Sequence, residues 1–204
     1  KSYKVDQIII ELDKKFYERV TFHPEYDNAS FIGGYKPVSV KDEDGNNVIK
    51  YEFVPQAFAN IYKSAWLDQE NQYYLAIEEI NRGNCAEIFG ELFQLLDRNS
   101  GYTVAPSNEL HKHLVEELGD ENHEGIIKGL QLPPNLAILA TMNTSDQNVF
   151  TLDTAFQRRW RMRLIENNFD NVRPSLADAE ILDTDVTWKR FCETVNTIII
   201  GNKA

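Results

Sequence analysis

YYLAIEEINRGNCAEIFGELFQLLD, residues 73–97, decides the fold of this 204-residue chain. Its opening, Tyr73-Tyr74-Leu75-Ala76-Ile77, is apolar without polar alternation, the pattern of a central strand covered on both faces. Glu78 and Glu79 follow at once. Two carboxylates at the carboxyl end of a buried strand sit where open α/β sheets place their ligands, and their mutual repulsion calls for a cation or hydrogen-bond donors. A divalent metal is the expected partner. Asn84 stands at an N-cap position ahead of Ile88, Phe89, Leu92, Phe93, Leu95 and Leu96, whose spacing predicts one amphipathic helix packed back on the sheet.

Working outward, NLAILATM at 135–142 is a second buried-strand signal, preceded by Pro133-Pro134 and ending on Asn143. On the N-terminal side, Ile8, Ile9, Leu12 and Phe16 predict a helix over 7–17, followed by a strand over 19–22. Residues 38–40 and 48–53 flank the turn KDEDGNN, whose Asp44-Gly45 pair marks a hairpin. A helix is expected over 56–66, with Phe58, Ile61, Tyr62 and Ala65 on one face and Pro55 near its first turn. Ser107 caps a further helix carrying Leu110, Leu114 and Leu118. A short helix from Asp153 leads into RRWRMRL at 158–164, where the alternation of Trp160, Met162 and Leu164 predicts a strand. Trp188, Phe191, Val195 and Ile198 mark a last amphipathic helix. Apolar strands separated by helical stretches make the chain α/β.

Composition bounds the function. The length suits one substantial domain, or one domain and part of another, burying about 70% of its unfolded surface. With 42% hydrophobic and 26% charged residues the chain reads as globular, and no apolar run approaches the ~20 residues of a membrane span. No signal peptide is visible. A net charge of −11 disfavours a nonspecific grip on nucleic acid, so any DNA reading is expected in a domain outside this chain. Cys85 and Cys192 have no metal-ligand spacing, which suits a reducing, cytoplasmic setting. His111 and His113 fall about 200° apart around a helix, which makes shared metal ligation awkward, and His23 stands alone in its loop. None of the ten glycines begins G-x-x-x-x-G-K-[ST], so the chain carries no complete phosphate-cradling loop.

IEEINRGN followed by EIFGELFQLL resembles the Walker B segment of AAA+ nucleotide hydrolases, most closely the GTPase subunit of the McrB type from modified-cytosine restriction systems. Further matches follow in family order: FHPEYDNASFIGGYKP at 22–37, NLAILATMNTSDQN at 135–148 and LDTAFQRRW at 152–160. The resemblance implies a P-loop NTPase (AAA+) fold, a doubly wound parallel sheet incomplete at its N-terminus, with a β-hairpin insertion and the start of a helical lid. The core would span 1–166, with insertions near 38–53 and 99–132, and a linker and lid start would occupy 167–204.

The same resemblance implies roles. Glu78 would hold Mg²⁺ through water, Glu79 would activate the attacking water, and Asn143, at the sensor-1 position, would align that water near the γ-phosphate of the nucleotide. Arg158 or Arg159 would be an arginine finger reaching the nucleotide of a neighbouring subunit. The chemistry suits these residue types: a metal takes hard oxygen ligands, a water needs a positioned proton acceptor, and a guanidinium offers fixed charge and forked donors to a transferring phosphoryl group. Gln147 and Asn148 stand where Arg and Ser are more common in the string tied to guanine preference, which leaves GTP and ATP both open. The partners implied are a hexameric ring of identical subunits, a nuclease subunit of the McrC type, and DNA. Two other readings stand beside this one. One is a non-catalytic AAA+-like assembly module, and the other a metal-dependent nuclease using Glu78 and Glu79, which lacks a third acidic residue at a convincing spacing.

Overall fold

Residues 73–78 do form a strand at the centre of a parallel sheet. The computed structural model describes residues 1–98, 101–144, 149–165 and 172–201. The chain falls into two units, Lys1–Met162 and Arg163–Ala204. The first holds, in order, α1 (Ser2–Ile9), a 3-10 turn (Lys14–Phe16), β1 (Tyr17–Thr21), α2 (Asn28–Phe31), β2 (Gly33–Lys41), β3 (Asn47–Pro55), α3 (Ala57–Leu67) and β4 (Tyr73–Glu78). A 3-10 turn (Ile80–Arg82), α4 (Cys85–Phe89), a 3-10 segment (Gly90–Leu96), α5 (Asn108–Leu118), β5 (Leu136–Ala140) and α6 (Thr154–Gln157) complete it. The second unit holds α7 (Pro174–Ala177) and α8 (Trp188–Gly201), joined by a backbone bond from the Trp188 N–H to the Ala179 carbonyl. No described helix is long and apolar enough to cross a membrane.

The sheet order is β1-β4-β5, all parallel, with Thr21 beside Glu78 and Ile77 beside Ala140. Because strand side chains alternate, β4 feeds two cores. Leu75 and Ile77 enter the larger one with Phe58, Ile61 and Tyr62 of α3 and Ile88 and Phe89 of α4; Ala76 faces the opposite side, against Val5 and Ile9 of α1. A strand covered on both faces must be apolar throughout, which is how the sequence reads. Each fully buried aliphatic side chain here contributes about 1.5–3 kcal/mol. Leu110, Leu114 and Leu118 of α5 and Leu130 join the larger core, so the 99–132 segment supplies interior as well as surface.

The hairpin is longer than its turn signal suggested. β2 and β3 pair from Gly33↔Pro55 out to Lys41↔Asn47. Asp42 closes the turn by accepting from the Asp44 and Asn46 N–H groups, and Gly45 takes φ +84° there. At the base, Gly33 (φ +138°) leaves room for the Phe53 ring, which a Cβ would meet at 2.6 Å, and that ring lies 5.3 Å from His113 of α5.

Three elements differ from expectation. α1 begins at Ser2 and ends at Ile9, because the Asp13 carboxylate accepts from the Lys15 N–H and turns the chain into a 3-10 segment. The helix expected through Leu96 breaks at Gly90, whose φ of 51° ends α4 and leaves a 3-10 continuation. No strand forms among the described residues of 158–164. Instead Trp160 donates its N–H to the Gln157 carbonyl and sets its ring 5.7 Å from Phe156.

Candidate functional site

The carboxyl ends of β4 and β5 are tied together by one residue, Thr141. Its N–H donates to the Ile77 carbonyl (2.9 Å) and its carbonyl accepts from the Ile80 N–H (2.8 Å), so Glu78 and Glu79 span the gap between two anchored points. The Glu79 N–H donates to the Thr141 Oγ1 at 3.2 Å. Glu79 completes the bridge in the left-handed region, at φ 54° and ψ 44°, a conformation costing a non-glycine residue roughly 1–2 kcal/mol. The bend sends the two carboxylates to different surroundings.

Glu78 is buried, at 6% exposure. Its Oε1 accepts from Arg19 Nη2 at 2.7 Å, and its Oε2 accepts from Ser2 Oγ at 2.7 Å and from the Thr141 hydroxyl. Arg19 also pairs with Asp6 of α1. Burial by itself raises the Glu78 carboxyl, but the hydrogen bonds from Thr141, Ser2 and Arg19 and the Arg19 charge outweigh it, and its pKa lies below the ordinary value. Glu79 is about one third exposed and pairs with Arg82, Oε2 to Nε 3.1 Å.

Asn143 enters from the far side of β5. Its Oδ1 accepts from Lys1 Nζ at 3.1 Å and its carbonyl accepts from Asn81 Nδ2 at 3.0 Å. Asn81 is buried, its carbonyl takes the Phe150 N–H, and its Oδ1 has no partner among the described residues. Glu78, Glu79 and Asn143 therefore share one end of the sheet, together with Lys1, Ser2 and Arg19.

The arginines stand apart from this group. Arg158 is exposed at the end of α6. Arg159 lies over the Phe93 ring, 4.1 Å from its centroid, and donates from Nη1 to the Ala155 carbonyl at 2.6 Å. Gln147 and Asn148 lie outside the described residues.

Sequence reasoning missed Lys1, Ser2, Arg19 and Thr141. A signal for the first two was present: Lys-Ser at the head of a helix fits the last two positions of the pattern G-x-x-x-x-G-K-[ST], and a search that starts from the glycines passes over it. Arg19 carries no local signal, since its carboxylate partner is 59 residues away.

Among the described residues no group of three or more His, Cys, Asp or Glu could hold a metal ion. A small, hard cation such as Mg²⁺ takes one or two protein oxygens and completes its shell with water and phosphate. The Ser2 hydroxyl and the Glu78 carboxylate, in contact at 2.7 Å, are oxygen donors of that type.

Residues 2–160 match the family model described as AAA domain (dynein-related subfamily). The chain is similar to the type II restriction enzyme BsuMI component YdiS of Bacillus subtilis (strain 168), 38% identical over 172 residues, covering 74% of this chain and 48% of that protein. It is also similar to the type IV methyl-directed restriction enzyme EcoKMcrB subunit of Escherichia coli (strain K12), 31% identical over 156 residues, covering 74% of this chain and 28% of that protein. The chain spans about half the length of the first of these relatives and under a third of the second.

Proposed function

Because the chain belongs to the dynein-related subfamily of AAA domains and is McrB-like, we propose that Lys1, Ser2, Glu78, Glu79 and Asn143 form part of a Mg²⁺-dependent nucleoside-triphosphate hydrolysis site. The observation that carries the reading is their convergence at one end of the sheet, with Ser2 on Glu78 and Lys1 on Asn143. Lys1 would supply a positive charge to the β- and γ-phosphates, and Ser2 with Glu78 would hold Mg²⁺ beside them. When bound, Mg²⁺ would supply charge neutralisation to the phosphates. Glu79, turned outward by its left-handed backbone, takes the proton of the attacking water, and the Asn143 amide orients that water. Arg158, exposed beyond α6, is the freer of the two finger candidates. Arg159 would have to leave Phe93 to serve.

In the whole protein this site would drive a ring-shaped motor of a restriction system, working with a nuclease subunit of the McrC type on DNA held by another domain. GTP and ATP are both candidate substrates. The test is hydrolysis of each by the full-length protein over a Mg²⁺ titration, beside Glu79→Gln and Ser2→Ala. Glu79→Gln should keep nucleotide binding while turnover falls roughly 10²–10⁴-fold. Ser2→Ala should need more Mg²⁺ for half-maximal rate. Undiminished turnover in Glu79→Gln would overturn the assignment.

One observation favours a second reading, that of a non-catalytic assembly module. Both Glu78 oxygens already have partners, Arg19 on one and Ser2 with Thr141 on the other. That reading expects assembly without nucleotide and no hydrolysis of either triphosphate.

A further inference from the structure

A second concentration of charge lies along β5. A cleft of about 120 Å³ opens there, lined by Arg98, Arg159, Arg161 and Trp160 over the apolar floor of Leu132 and Ile138. Arg98 is anchored, donating from Nη1 to the Pro133 carbonyl at 3.1 Å and from Nη2 to the Leu136 carbonyl. Arg159 is held by the Phe93 ring and the Ala155 carbonyl, and its Nε is buried without a partner among the described residues. The same holds of the Trp160 Nε1.

Among the described residues no carboxylate forms an ion pair with any of these three arginines. Burial lowers the pKa of Arg98, and no nearby acid offsets it. In a chain of net charge −11, three guanidinium groups have gathered without a counter-charge, and donors stranded in a partly buried cleft cost free energy until an acceptor arrives. A metal ion would be repelled, and an apolar ligand would leave the Arg161 guanidinium and the donors of Arg98 and Arg159 that face no carbonyl unmet. An oxyanion offers what these lack: its oxygens accept from forked guanidinium donors and from an indole N–H, and a cleft of about 120 Å³ has room for more than one water.

We propose that this cleft binds a phosphate-sized oxyanion, held by Arg98, Arg159 and Arg161 with the Trp160 indole N–H as an additional donor. The chemistry is shared by a free phosphate and by a carboxylate group; the cleft lining includes neither Glu78 nor Asn143, and Arg159 is the one residue it shares with the hydrolytic reading.

The test follows the indole N–H signals of Trp66, Trp160 and Trp188 by ¹H–¹⁵N NMR, with Trp160→Phe identifying the Trp160 signal. The protein is titrated with sodium phosphate and, separately, with sodium acetate, sodium chloride holding ionic strength constant. A saturable shift of Trp160, with Trp66 and Trp188 fixed, is expected with at least one of the two anions, and the one that saturates at lower concentration names the source. Arg161→Gln, which changes an exposed side chain, should raise the apparent Kd roughly tenfold, with Arg161→Lys recovering part of the loss. A shift that never saturates, or an identical Kd in Arg161→Gln, would overturn the proposal.

Discussion

At the carboxyl end of β4, Glu78 meets Arg19, Ser2 and Thr141; beside β5, Arg98 and Arg159 meet carbonyls and an aromatic ring, and neither they nor Arg161 pair with a described carboxylate. The first region closes its electrostatics within the chain, and the second leaves them open. A charge answered internally adds to folding stability and can be read only by removing one partner. A charge left unanswered adds little to stability and points to something the chain binds. Removing charge should therefore be costly in one place and almost free in the other.

The sharpest break comes from Glu78→Ala. It strips Arg19, Ser2 and Thr141 of their acceptor at once and should lower stability by about 2–3 kcal/mol in urea denaturation, less than a fully buried pair because the Arg19 side chain is 37% exposed. Thr141→Val keeps the shape but deletes the hydroxyl that serves both carboxylate residues, at an expected ~1–2 kcal/mol by the same measurement. A loss under half of that would mean that the β4–β5 junction rests on backbone bonds alone.

Acid should reproduce part of the Glu78→Ala effect reversibly. The folded pKa of Glu78 is depressed below the ordinary glutamate value, so its contribution is present above that value and is lost as pH falls through the lowered folded one. A stability profile from pH 6 downward should show this acid limb in the wild type and a shallower one in Glu78→Gln. The smallest effect belongs to the other region. Arg161→Gln, which relieves like-charge crowding on an exposed side chain, should change stability by no more than about 0.5 kcal/mol, and in the stabilising direction if at all. A loss above 1 kcal/mol would erase the contrast between the regions.

The parts legible in the sequence were those encoded locally. β4 and β5 announce themselves as unbroken apolar runs, the hairpin by Asp44-Gly45, α3 by its stripe, α5 by Ser107, whose side chain does accept the expected cap bond, and α6 as a short helix from Asp153. What was not legible depends on groups that meet only after folding. Nothing near Arg19 points to Glu78, and nothing near Phe93 foretells that Arg159 will lie on it. The alternation at 160–164 imitates a strand, but a strand needs a neighbour, and the aromatic contact with Phe156 draws Trp160 into the core instead. Glu78 and Glu79 were found because they are adjacent, and Lys1 and Ser2 were passed over because the search for a phosphate loop started from the glycines.

The β2–β3 hairpin has a mechanical consequence. Nine residues per strand extend it about 30 Å from a base fixed by Gly33, Pro55 and the Phe53–His113 contact. Its outer half touches little, so it behaves as a lever with a short root and a long arm. A tilt of about 10° at the root, no more than a side-chain rearrangement around Phe53, sweeps the Asp42–Gly45 tip through roughly 5 Å on an arm of that length.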